Sequence, residues 1–217
     1  AENLSLITGE NKALTATGWN WSDTSMWTPT VSEVAGNNLS IDAITTTPIT
    51  STISDGFTAG DVSVILRQNA PSASSGGSGH FTLNVDGNVT FDSLTWKVTS
   101  PSWWGSYIKI KTGSTLTIRN DLTVGNSGTS AYFLSFTNDN NANYMGNLRI
   151  DGDLNYYATD SNPDSHVFFT IINSLTVKGA VSMINQNGGR GRWEIGNNNT
   201  TIGGLSGADT SDNKLYL

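Results

Sequence analysis

A nine-residue pattern returns four times along this chain, and a chain that repeats itself at a near-constant period folds by stacking its copies. The copies read Leu83-Asn-Val-Asp-Gly-Asn-Val-Thr-Phe91, Leu116-Thr-Ile-Arg-Asn-Asp-Leu-Thr-Val124, Leu148-Arg-Ile-Asp-Gly-Asp-Leu-Asn-Tyr156 and Leu175-Thr-Val-Lys-Gly-Ala-Val-Ser-Met183, at offsets of 33, 32 and 27 residues. Positions one, three, seven and nine are apolar, while two and eight are polar. Each copy therefore holds two short strands that show one face to a core. Position five is Gly87, Asn120, Gly152 or Gly179. These residue types tolerate positive φ, so a sharp left-handed bend is expected between the strands. A third apolar stretch precedes the pattern in most copies: 107–110, 132–136, 167–171 and 192–195. Three strands and three turns in roughly 30 residues make one coil of a right-handed parallel β-helix, an all-β solenoid. Each strand would pair with its counterpart ~4.8 Å away. A β-sandwich would need hairpin signals at much shorter intervals.

The stacking carries its own check in position four, where Asp86, Arg119, Asp151 and Lys178 alternate in sign. Opposite charges on adjacent strands stabilise, and like charges oppose. Composition agrees with the class: only 13% of residues are charged, good helix formers are scarce and β-branched residues abundant. One continuous domain is expected, with residues 1–60 as an N-terminal cap and first strands and 61–217 as coils. The cap has to cover the first coil, since an open edge pairs with other chains. Trp19, Trp21 and Trp27 are the expected plug, while Trp96 and Trp193 occupy strand positions. Thr201-Ile-Gly-Gly-Leu-Ser-Gly207 begins another copy and Leu215-Tyr-Leu217 stops in mid-pattern. The chain thus reads as part of a longer protein.

The net charge of -7 argues against nucleic acid as a partner. No apolar run approaches the length of a membrane-spanning helix. Cysteine is absent, which excludes disulfides and thiolate metal sites. An acidic chain so rich in Asn, Thr, Ser and Gly reads as exported. Trp19-Asn-Trp-Ser22, Trp27-Thr-Pro29 and Asn38-Leu-Ser-Ile-Asp42 resemble the opening of bacterial surface proteins built from autotransporter-associated β-strand repeats. The Leu-Thr-Ile and Leu-Thr-Val steps and the 202–207 segment are similar to the same group. The resemblance implies a secreted or cell-surface β-helix, outer-membrane associated in its full-length form and adhesin-like.

Chemistry is sparse. The chain has two histidines, His80 and His166, and neither lies in a catalytic signature. Parallel β-helices also host polysaccharide lyases and glycoside hydrolases, so paired carboxylates matter. Position six places Asp121 on Asp153, with Asn88 before and Ala180 after. Such a pair would raise one pKa or share a cation, and Asp151 beside it would complete an oxygen-rich Ca²⁺ site. The plainer reading makes both carboxylates turn residues that bond local backbone. Asp160-Ser-Asn-Pro-Asp164 opens like a calcium loop but lacks the Glu and Gly such loops need, and 188–191 reads as a turn. Trp103 and Trp104 lie between Pro101-Ser and Gly105-Ser106, the framing of a loop. An aromatic pair there is a candidate platform for a sugar or a protein partner. The first functional reading is a non-catalytic surface protein that binds glycans or a host or neighbouring-cell protein and needs no cofactor. The alternative is a lyase or hydrolase using the stacked aspartates. An ice- or mineral-binding face would need a regular threonine ladder. Position eight, with Thr90, Thr123, Asn155 and Ser182, breaks it after two steps.

Overall fold

A computed structural model describes residues 1–7, 13–68, 81–99, 106–127, 132–136, 142–158, 166–168, 172–185, 192–194, 199–208 and 214–216. Their strands form an eleven-stranded and an eight-stranded sheet. Among the described strands every pairing is parallel but one, where Asn3–Leu6 meets Trp27–Thr28 antiparallel. The larger sheet is bent. Val89–Thr99 and Ser174–Asn185 each run round its corner, pairing with one set of strands by their first half and another by their second. A coil therefore has a short face, a long face and, on the second sheet, a back face. This is the expected parallel β-solenoid with three strands per coil. The back face collects Ser106–Ile110, Tyr132–Phe136, His166–Phe168 and Arg192–Glu194 in order, as the third apolar stretch requires. No helix among the described residues is long and apolar enough to cross a membrane.

Alternation drives the strands. Along Phe81–Asp86, Phe81, Leu83 and Val85 are buried while Thr82, Asn84 and Asp86 are half-exposed. A two-residue period puts one set into the core and leaves the other to water. Leu116, Leu148 and Leu175 stack rung on rung inside the short face. Leu83 does not join them. It sits on the back face between Ser51 and Ile108, and Val89 is the residue paired with Leu116. The missing copy reads Val89-Thr-Phe91-Asp-Ser-Leu94-Thr-Trp96. Its corner holds two residues, Asp92 and Ser93, where the next coil has Arg119, Asn120 and Asp121. Neither is Gly, so the copy hides from a search keyed to a central Gly or Asn.

The first coils are closed by tryptophan. Trp21 is fully buried, its ring 6.2 Å from Trp19 and 6.2 Å from Phe91 in stacked geometry, with Trp27 edge-on at 5.8 Å. Buried indoles need a partner for N–H. Trp27 Nε1 donates to the Trp21 carbonyl at 2.9 Å and Trp21 Nε1 to Ser51 Oγ at 2.9 Å. Trp96, in the core, donates to Ser106 Oγ at 2.7 Å. Ser51 and Ser106 are thus buried serines with a stated purpose.

Candidate functional site

The predicted carboxylates lie on the corner between the short and long faces. Asp121 and Asp153 do occupy adjacent coils, and a backbone hydrogen bond joins them. Asp153 N–H donates to Asp121 Oδ1 at 2.8 Å, and Ala180 N–H donates to Asp153 Oδ1 at 2.8 Å. The same device begins earlier, where Asp61 N–H donates to Asn38 Oδ1 at 2.9 Å. Asp61 Oδ1 then accepts the Ser93 hydroxyl at 2.7 Å. Ser93, not Asn88, therefore precedes Asp121 in this column. Asn88 belongs to the corner between the back and short faces. There Asn88 N–H donates to Asp55 Oδ1 at 2.7 Å, and Thr115 N–H to Asn88 Oδ1 at 3.0 Å. Each side-chain oxygen replaces the carbonyl that a straight strand would offer, so the ladder continues through the bend.

The glycines serve this corner differently from expectation. Gly152 and Gly179 are not left-handed. The positive-φ glycines near 80° are Gly18, Gly36, Gly56 and Gly113. Proximity is the constraint instead. A Cβ on Gly152 would stand 2.6 Å from the carbonyl carbon of Asn120 and nearer still to its oxygen and to Asp121 Oδ1. A Cβ on Gly179 would stand 2.6 Å from the Gly152 oxygen and nearer to Asp153 Oδ1. The carboxylate of one coil occupies the space that a side chain on the next would fill.

Asp151 faces outward in a column of charge. Arg149 Nε lies 2.8 Å and Lys178 Nζ 3.1 Å from its Oδ1, while Arg119 pairs with Asp92 at 3.2 Å. The alternating column is real, but it starts at Asp92. Asp86 is on the back face beside Tyr144, whose phenol is pushed up by burial and then by that carboxylate. The Arg149 hydrogen bond holds the Asp151 carboxyl below its usual range; burial opposes it, and Lys178 adds to the lowering. A depressed folded pKa means stability present above the unfolded value, about 3.9, and lost as pH falls through the folded one. Asp151→Asn is therefore expected to lower the unfolding free energy at pH 7, read from the denaturant midpoint, by less than about 1 kcal/mol, because the pair is partly exposed. The gap should close below about pH 4; a gap that stays constant through the acid range would show that Asp151 acts by packing alone.

The three candidate Ca²⁺ or catalytic carboxylates thus divide. Asp121 and Asp153 share the corner and bond backbone, while Asp151 points outward and pairs with cations. Among the described residues no group of three or more His, Asp or Glu is placed to hold a metal ion. Trp103, Trp104, His80 and the segments 160–164 and 188–191 lie outside the described residues, and His166 lies in a back-face strand.

The outward rows are where sequence reasoning missed most. Ser5, Ser40, Ser63, Thr95, Thr123, Asn155, Ser182 and Ser206 pair in one unbroken column along the long face. Thr90, assigned to that row by the shifted copy, stands on the short face instead. There Thr58, Thr90, Thr117, Arg149, Thr176 and Thr201 form a second column. Correct alignment of the copy at 89–96 would have made both rows visible. In comparisons with known proteins, no family model, curated protein or solved structure matches this chain.

Proposed function

We propose that the chain is a non-catalytic, exported cell-surface solenoid of the adhesin-like kind, which binds glycans or a protein of a neighbouring or host cell. One observation carries the reading: each stacked aspartate that a lyase would need turns its Oδ1 to the next coil's backbone N–H. The outward faces carry rows of Ser, Thr and Asn beside a mixed long-face row that includes Asp42, Ile65, Lys97 and Tyr157, and most charges on these faces are paired among the described residues. Such rows offer many weak, regularly spaced hydrogen bonds, which suit an extended polar ligand contacted over several coils. The likeness to autotransporter-associated repeats and the acidic, Asn-, Thr-, Ser- and Gly-rich composition support export.

Trp103 and Trp104 remain the best local anchor on sequence grounds, as adjacent aromatics framed by Pro, Ser and Gly. Replacing both with Ala is expected to weaken binding to a glycan array or to intact cells by roughly 1–4 kcal/mol, with an unchanged melting curve. Asp121→Asn with Asp153→Asn should leave that binding nearly unaltered, since each amide retains an acceptor oxygen. Turnover of an acidic polysaccharide by the native chain, lost in the Asn double variant, would instead assign the protein to the lyases.

A further inference from the structure

The side-chain acceptors at the corners have a direction, although backbone bonds there also run from the earlier coil to the later, as from Leu94 N–H to the Asp121 carbonyl at 3.1 Å and from Leu122 N–H to the Asp153 carbonyl at 3.0 Å. In the five backbone-to-side-chain bonds described above, the backbone N–H belongs to the later coil and the oxygen to the coil before it. Two others run the same way: Thr50 N–H to Thr17 Oγ1 at 2.9 Å, and Met145 N–H to Thr112 Oγ1 at 2.9 Å. Glu2 N–H donates the opposite way, to Asn37 Oδ1 at 2.9 Å, within the cap. The glycines repeat the polarity, since Gly152 and Gly179 leave room for the carboxylates of the coils that precede them.

We infer that the solenoid assembles from its N-terminal cap, each coil presenting on its corners the acceptors that dock the next. A coil already in place offers Asp or Asn oxygens that stay hydrated until they are used. The incoming coil brings backbone N–H groups that would otherwise lose water without a partner. Growth towards the N-terminus would begin from a corner whose N–H groups are fixed, and every incoming side chain would have to be ordered onto them as it docked. The two directions also differ in their starting point. Coils of a solenoid contact only their neighbours, so order begins where one region closes best on itself. That region is the cluster of Trp19, Trp21 and Trp27 on Phe91.

Pulsed hydrogen exchange during refolding of the full chain tests this, read amide by amide. Residues 38–68 are expected to gain protection before 147–158 and 174–185. In Asp153→Ala, protection of 174–185 should come about fivefold later, the kinetic weight of one such bond, with 38–99 unmoved. Asp153→Asn keeps an acceptor and is expected to recover most of that rate. Simultaneous protection of all strands, or protection that starts at 174–185, would overturn the inference. So would an Asp153→Ala chain that leaves 174–185 on time, delays 38–99 equally, or loses protection everywhere.

Discussion

Alanine at position 152 is expected to lower the unfolding free energy by about 3 kcal/mol, the upper end for overpacking. The added methyl meets the backbone carbonyl of Asn120 as well as Asp121 Oδ1, and the backbone cannot swing aside as a side chain can. Relief requires the two coils to part, and parting them stretches two bonds at once. Gly152 N–H donates to the Asn120 carbonyl at 2.9 Å, and Asp153 N–H to Asp121 Oδ1 at 2.8 Å. Gly204 supplies the contrast. A Cβ there would sit 3.6 Å from Ala180 Cβ, an ordinary contact, on a backbone without positive φ. Gly204→Ala should then be neutral or up to about 1 kcal/mol stabilising, through the unfolded chain. Urea midpoints of the two variants, with unchanged slopes, make the comparison. Equal midpoints would mean that the corner yields freely and that the Gly–Asp pairing does not govern it.

Much of this fold is legible in the period alone. Leu116, Leu148 and Leu175 stack where a repeat of about 30 residues places them, because strand alternation leaves few other ways to bury those side chains. Legibility ends at the corners. A corner of Asp92 and Ser93 is as good a bend as Arg119, Asn120 and Asp121, and nothing in the local sequence marks the one-residue difference. The shifted copy misplaced Leu83, Asp86 and Thr90 together, yet the charge column survived, since Asp92 supplies the same sign as Asp86. The role of Gly152 was hidden for a related reason. Tolerance of positive φ is a property of one residue, whereas crowding by Asp121 is a property of two residues far apart in the chain. Asp153 itself was legible as a turn residue, but its partner, the N–H of Ala180, lies one coil away.

Removal of the Trp21 side chain is expected to be the most damaging single truncation, with a loss of about 3–5 kcal/mol as Trp21→Ala. The side chain is fully buried and touches Trp19, Trp27 and Phe91, so its absence leaves a cavity that three large rings cannot close. It also strands the Ser51 hydroxyl, buried on the back face and otherwise the acceptor for Trp21 Nε1. Trp21→Phe separates the two effects. It keeps most of the stack and loses the hydrogen bond, and a smaller loss of about 1–3 kcal/mol is expected. The consequence for the sheet follows from position. Trp27–Thr28 covers the edge of Asn3–Leu6, and Trp27 is held there by packing on Trp21 and by its bond to the Trp21 carbonyl. Loosening that cover bares a parallel edge that pairs readily with another chain. Trp21→Ala should therefore associate in sedimentation experiments at concentrations where the native chain and Trp21→Phe do not. A Trp21→Ala protein that is no less stable than Trp21→Phe, or that sediments like the native chain, would show that the tryptophans fill space without closing the solenoid.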